Sequence, residues 1–392
     1  MLLHRGVARL AAIVYFVQGS LGIAGIALPL YLRNQGFSIA KITFISSVSA
    51  APWFFKIVYG AISDAVPIWR LRRKPYLIIC SALSCFGWIF LGLLPPEEHW
   101  LILSMIIANL GLAATDVITD GLVVEYSRAG TVQTYQGIAW GARSIGALLS
   151  GYTGGILAGQ MQAQKVFLIT AALPLVSLIA ALFLREKPHP RGSDFRPKNV
   201  LLPIVKSVRL IIQGDVKWFL FLLLIISSSV AIGTPFFFYM REVLNFDEIF
   251  LGLLSSVTWF GAIVGCFIFL KFFKAVPLRK TLYWAVGVGF VDILLTLTIL
   301  DPLTAFIVSF LLGILGYIVL LPIFSAAARF AHATGVEGSL YAILMSLFNL
   351  GQAIAGILGG IVYELIGLRA LIILTAVLGL SAFLVLPRLK TL

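Results

Sequence analysis

The stretch "TDVITDGLVVE" at residues 115–125 lies inside a long apolar run and sets Asp116 and Asp120 four residues apart. Lys56 and Arg143 stand in two other apolar runs. Carboxylates and cations at such depth can do two kinds of work. They can pair with one another and tie helices together, or they can hold an anion and a proton. Structural polar contacts in a bilayer usually fall to Ser, Thr or Asn, which cost less to bury. On the second reading an anionic solute competes for Arg143 or Lys56, and the displaced aspartate, left without a partner at low dielectric, takes up a proton.

Helical arithmetic places these groups. At about 100° per residue, Asn109, Asp116 and Asp120 form one stripe, Gln136, Trp140 and Arg143 a second, and Ser46, Ser49, Trp53, Lys56 and Gly60 a third. A rise of about 1.5 Å per residue brings Asp116 level with Arg143 and Asp120 level with Lys56, which predicts those two ion pairs. Glu125 lies about 140° around the helix from Asp120 and is assigned to a cytoplasmic gate. His4, His99, His189 and His332 fall in loops or at span edges, so a proton relay has to use carboxylates. Asp292 stands alone in a later run and reads as a peripheral, hydrogen-bonded acid. Further polar and aromatic groups that suit a cavity are Tyr15, Gln18, Tyr239, Tyr317, Tyr341, Asn349 and Gln352, although such residues more often serve packing or interface belts.

The elements that must carry these residues follow from composition. Of 392 residues, 60% are hydrophobic and 11% charged, the balance of a polytopic membrane protein. Apolar stretches of roughly 20 residues or more cover 7–32, 38–62, 76–94, 100–127, 134–158, 165–184, 217–240, 249–271, 280–300, 302–328, 338–363 and 367–386. That predicts twelve transmembrane helices. With the N-terminus cytoplasmic, twenty-two Lys and Arg fall inside, five outside and two within spans. The bias sets both termini in the cytoplasm and explains the net charge of +13 as topology rather than nucleic-acid binding. Short loops favour a bacterial inner membrane. The first span is too long for the apolar core of a signal peptide. Cys80, Cys85 and Cys266 have neither metal-ligand spacing nor a disulfide pattern, so no metal or cofactor is expected.

The polar stretch 185–216 divides the chain, which predicts an amino-terminal bundle at 1–184, a cytoplasmic linker at 185–216 and a carboxyl-terminal bundle at 217–392. The halves repeat. Gly146, Gly151, Gly154 and Gly155 recur 205 residues later as Gly351, Gly356, Gly359 and Gly360, and "WFFKIV" from Trp53 recurs 206 residues later as "WFGAIV" from Trp259. Close-packing glycines alone produce some likeness of this kind. The intramembrane charge is nevertheless concentrated in the first half.

This plan of two pseudo-symmetric six-helix bundles is similar to the major facilitator superfamily of secondary transporters. "GAISDAVPIWRLRRKP" resembles that superfamily's loop signature, with Gly60, Asp64, Arg72 and Arg73 in the corresponding places; it implies a cytoplasmic gate in which Asp64 pairs with cations such as Arg128. More narrowly, "PWFFKIVYGAISD", "DVITDGLVVE" and "YQGIAWGARSIGALLSGYTGG" resemble the folate-biopterin transporter family. Trp53, Lys56, Gly60, Ser63, Asp64, Asp116, Asp120, Glu125, Gln136, Trp140, Arg143 and Gly146 match its motifs, while Ile57 and Gly121 depart from its usual proline and alanine.

The resemblance implies a monomer that moves folate or pterin anions together with protons, with membrane lipid as its surroundings. Muropeptide permeases, which share an aspartate-bearing fourth helix and an arginine-rich loop, are the alternative. A membrane-embedded enzyme is disfavoured because no His lies near mid-membrane and no His-Glu-x-x-His or Gly-x-Gly-Asp occurs. Duplicated halves speak against a channel.

Overall fold

The computed structural model describes residues 4–126, 132–186, 188, 197–273, 276–332 and 334–390, and only the backbone of residues 64, 65, 132, 133, 197–200, 203 and 337. Among the described residues the regular structure is helical, with one isolated bridge between Ile68 and Leu71. Helices α1 (Arg5–Ser20), α2 (Ala24–Asn34), α3 (Ile39–Ser49), α4 (Lys56–Ala65), α5 (Lys74–Leu93), α6 (Glu98–Tyr126), α7 (Val132–Gln160) and α8 (Ala163–Leu182) come first. The linker contains α9 (Pro197–Ile211). Beyond it run α10 (Gly214–Ser227), α11 (Gly233–Phe238), α12 (Glu248–Ile268), α13 (Leu278–Leu295), α14 (Pro302–Ala331), α15 (Glu337–Leu380) and α16 (Ala382–Val385).

Ten helical stretches among the described residues are long and apolar enough to cross a bilayer, against the twelve expected. Two elements account for the difference. α7 has 29 residues, but Arg143, Gln160 and its many glycines lower its mean hydropathy. The last stretch, Gly338–Arg388, is 51 residues long and contains Gly367 at φ 79° and ψ 174°, where the backbone leaves the helix. Only glycine reaches that conformation without strain.

The chain divides into two compact units, one of Met1–Tyr31 with Val48–Leu201 and one of Leu32–Ser47 with Leu202–Leu392. In the first, Val7, Leu10, Ala11 and Val14 follow the i, i+3, i+4, i+7 spacing of one helical face. They pack with Ile118 and Leu122 of α6 and Tyr135 and Ala139 of α7. The repeated glycines form the seam: Gly146 lies against the Phe16 carbonyl and Gly154 against the Ile23 carbonyl, so α1 and α7 touch backbone to backbone. Gly19 meets the Arg143 carbonyl from the other side. A Gly19→Ala variant, whose methyl group would overlap that carbonyl, is expected to lose at least about 1–3 kcal/mol of stability. A thermal melt in detergent measures it, and an unchanged melting temperature would contradict the close contact.

The second unit repeats this seam. Gly351 faces Ser227 and Gly359 faces the Ala231 carbonyl. A 3₁₀ turn interrupts the first span at Leu21–Ile23, and another interrupts the span that begins with α10 at Ser228–Ile232, within two residues of the separation of the sequence repeat. Residues 32–47 belong to this unit through Arg33, which forms a 2.7 Å ion pair with Glu242, and through the Ala40 amide, which donates to Glu364 at 2.9 Å. Its core gathers Phe219, Leu222, Ile323, Leu340, Leu344 and Leu386. In α9, Ser207 and Ile211 are buried while Leu201, Val205 and Val208 are exposed, so the polar linker contains an amphipathic helix.

Candidate functional site

The charged residues of the first unit converge on α6. Trp53 Nε1 donates to Asn109 Oδ1 at 2.9 Å, and Gly60, further along, faces Val117, so α4 and α6 run in the same direction. Lys56 Nζ donates to Asp116 Oδ2 at 2.8 Å. Gln18 Nε2 of α1 donates to the other oxygen, Oδ1, at 2.9 Å. One turn away, the Tyr15 hydroxyl donates to Asp120 Oδ1 at 2.6 Å, and Gln136 hydrogen-bonds the same carboxylate. α1 is antiparallel to α6, and these two contacts are successive rungs between them. The side chains of Lys56 and Asp116 are 20% and 8% exposed, which makes this a buried pair.

Arg143 is placed differently. Its guanidinium lies over the Trp140 ring, 4.9 Å from the centroid, and among the described residues it forms no ion pair or hydrogen bond. Lys56 similarly sits over Trp53 at 4.6 Å, and Trp140 meets Tyr15 edge to face at 6.0 Å. Both expected pairings are therefore corrected: Asp116 is bound to Lys56, not Arg143, and no salt bridge joins Asp120 among the described residues.

The reason is register. With Trp53 beside Asn109 and Gly60 beside Val117, Lys56 stands about one turn before Asp116 and two before Asp120. Helical side chains lean toward the amino end of their helix, so Asp116 leans back toward Lys56. Arg143 leans back within α7 onto Trp140, three residues before it. Counting Cα depth misses this, and it also misses the 3₁₀ turn Ala51–Phe55 before Lys56, where each residue rotates by about 120° rather than 100°. That turn carries Ser49 off the expected stripe, and Ser49 is fully buried.

At the far end of α4 the chain turns sharply. Trp69 and Arg70 both have positive φ, 50° and 63°, in a two-residue hairpin closed by Ile68 and Leu71. Neither residue has glycine's freedom, so each carries a cost of about 1–2 kcal/mol. The turn is held at its base by a residue that the sequence did not single out. Glu186, just beyond α8, accepts from the Arg72, Arg73 and Lys74 amides at 2.8, 3.0 and 2.8 Å, capping α5. Its only signal in the sequence is an acid among bases.

Arg73 is buried, donates from Nη1 to Ser63 Oγ at 2.7 Å and lies 3.8 Å from Glu125. A methyl group at Gly121 would meet its guanidinium at 2.7 Å, so this glycine makes room for Arg73. Of the other gate residues, Arg128 and the Asp64 side chain lie outside the described residues.

Tyr15 and Gln18, expected only as cavity lining, thus touch the two aspartates directly. Tyr239, Tyr317, Tyr341, Asn349 and Gln352 lie in the second unit. There Tyr239 stacks on Phe236 at 6.2 Å and Tyr317 meets Trp259 at 6.5 Å. Asp292 Oδ1 is buried without a hydrogen-bond partner among the described residues, unlike the bonded acid expected.

Comparison with known proteins adds to this geometry. The profile of the BT1 family matches residues 18–387. A folate-biopterin transporter of Synechocystis sp. is 28% identical over 407 residues, spanning 95% of this chain and 79% of that one. Folate transporter 2 of Plasmodium falciparum is 28% identical over 359 residues, 87% of this chain and 77% of that one. Among solved structures, the nucleoside transporter NupG superposes with a TM-score of 0.77 over 100% of both chains at 16% identity. That likeness shows the major facilitator fold.

Proposed function

The chain belongs to the BT1 family of folate-biopterin transporters, and on that premise we propose that it carries folate or related pterin anions across the membrane together with protons, by alternating access. It is a multi-pass membrane transporter and not an enzyme. One observation carries the finer reading: the four intramembrane charges are unequally engaged. Asp116 is tied to Lys56 and Gln18, Asp120 is held by neutral groups, and Arg143 rests on an aromatic face with its donors unspent among the described residues.

Arg143 is then the substrate's anchor. A planar guanidinium binds a carboxylate through two parallel hydrogen bonds, and the Trp53 and Trp140 rings suit a flat heterocycle. Asp120 is the proton's site. With Asp120 ionised, two cations face two anions and the cluster is neutral; with Asp120 protonated, the cluster carries one net positive charge, which a carboxylate complements. Proton and anion therefore favour each other's binding, and the coupling is reciprocal. The halves 1–184 and 217–392, joined by 185–216, are the bodies that move, except that residues 32–47 belong to the second compact unit. Both termini are cytoplasmic, as the basic loops indicate, and the short loops fit a bacterial inner membrane.

The test is uptake of labelled folate and biopterin into proteoliposomes with and without an inward proton gradient. Gradient-driven accumulation is expected in the intact protein. Asp120→Asn, which imitates the protonated form, is expected to keep substrate exchange at zero gradient and to lose at least tenfold of the gradient-driven accumulation. Accumulation that ignores the gradient, or that survives Asp120→Asn, would overturn the coupling. A folded protein that moves neither pterin would overturn the substrate.

A further inference from the structure

Away from the charged cluster, a cavity of about 450 Å³ opens where the amino end of α1 meets the carboxyl end of α8. Arg9 and Arg185 line it from the two helices, His4 stands at its edge, and Leu10, Ile13 and Phe183 form an apolar wall. Among the described residues neither guanidinium has a hydrogen bond or ion pair with the protein. The acid next in sequence does not compensate them, because Glu186 is committed to the Arg72, Arg73 and Lys74 amides. Among the described residues the cavity therefore holds two uncompensated cations. The amino end of α1 adds partial positive charge of the same sign.

Depth and shape narrow the ligand. The cavity sits at the ends of two spans, Arg5–Asn34 and Ala163–Leu182, which is headgroup level rather than mid-membrane. From it an apolar track runs back along α8 through Phe183, Leu182 and Ile179, which are 81%, 49% and 52% exposed. These three share one helical face. We infer that this cavity is a binding site for an anionic phospholipid of the leaflet on the basic-loop side, with the phosphate between Arg9 and Arg185 and an acyl chain along Phe183, Leu182 and Ile179. Basic clefts between spans recognise acidic headgroups in this way. A free phosphate would satisfy the guanidiniums but leave the track unused.

The experiment is native mass spectrometry of the full-length protein in detergent, titrated with phosphatidylglycerol, with phosphatidylcholine of the same chain length, and with inorganic phosphate. Phosphatidylglycerol is expected to bind in preference to phosphatidylcholine. Arg9→Gln and Arg185→Gln are each expected to weaken it about fivefold, and both together about twenty-five-fold. Arg5→Gln, an exposed cation outside the cavity, is expected to change it less than about twofold. Phe183→Ala is expected to weaken both lipids while preserving the preference for the acidic one. Measuring each single variant, with its melting curve, keeps the result readable if the double variant does not fold. Equal binding of the two lipids, an Arg5→Gln effect as large as that of Arg9→Gln, or displacement of bound lipid by phosphate alone would overturn the inference.

Discussion

Replacing Lys56 with methionine is expected to destabilise the protein by about 3–5 kcal/mol, and replacing Asp116 with leucine in the same chain is expected to recover most of that loss without recovering transport. The single change strands the Asp116 carboxylate, which is 8% exposed and has its second oxygen bound only by the neutral Gln18 amide. Removing one member of a buried ion pair costs far more than removing both, because the survivor keeps its desolvation penalty and loses its attraction. The double variant restores an apolar contact of similar volume between α4 and α6. It leaves the Gln18 amide donor without its acceptor, a residual cost of about 1–3 kcal/mol. Melting curves for the two variants and the parent read stability, and proteoliposome uptake reads function. A Lys56→Met protein as stable as the parent would mean that the pair does not hold the helices. A double variant that transports at the parental rate would mean that the pair serves stability alone.

Arg143 separates these effects from the opposite direction. Arg143→Ala is expected to lower pterin uptake about a hundredfold or more while changing stability by less than about 1 kcal/mol. The guanidinium has no ionic partner among the described residues and rests only on the Trp140 face, a contact worth about 0.5–1 kcal/mol where solvent reaches it. In the substrate complex it would make two charge-assisted hydrogen bonds of about 1.5–3 kcal/mol each, which accounts for the hundredfold. Arg143→Lys keeps the charge and loses the fork, and an intermediate loss of about tenfold is expected. A guanidinium used only to brace the bundle would reverse the pattern, with stability falling and uptake per folded molecule unchanged.

The helical membrane class, most of the apolar spans and the charged residues that the structure brings together were legible in the sequence, each for a definable reason. A bilayer admits few charges, so Lys56, Asp116, Asp120 and Arg143 stand out against their apolar surroundings without any knowledge of contacts. Glycines that let helices touch recur at a fixed spacing, so close helix contact in α7 and its repeat in α15 could be read from spacing, whereas the partner α1 could not. Helical periodicity brought Asn109, Asp116 and Asp120 to one face.

What tertiary structure decided was who touches whom. Whether Lys56 meets Asp116 or Asp120 depends on the register of α4 against α6 and on a five-residue 3₁₀ turn just before Lys56, neither of which appears in a count of residues per turn. Tyr15 and Gln18 became partners of the two aspartates because α1 runs antiparallel to α6 in the right register. Glu186 found the α5 amides across more than a hundred residues of chain. Depth and polarity are properties of single residues in a solvent and can be read in one dimension, whereas pairing is a relation between helices and is settled only when their directions and rotations are fixed together.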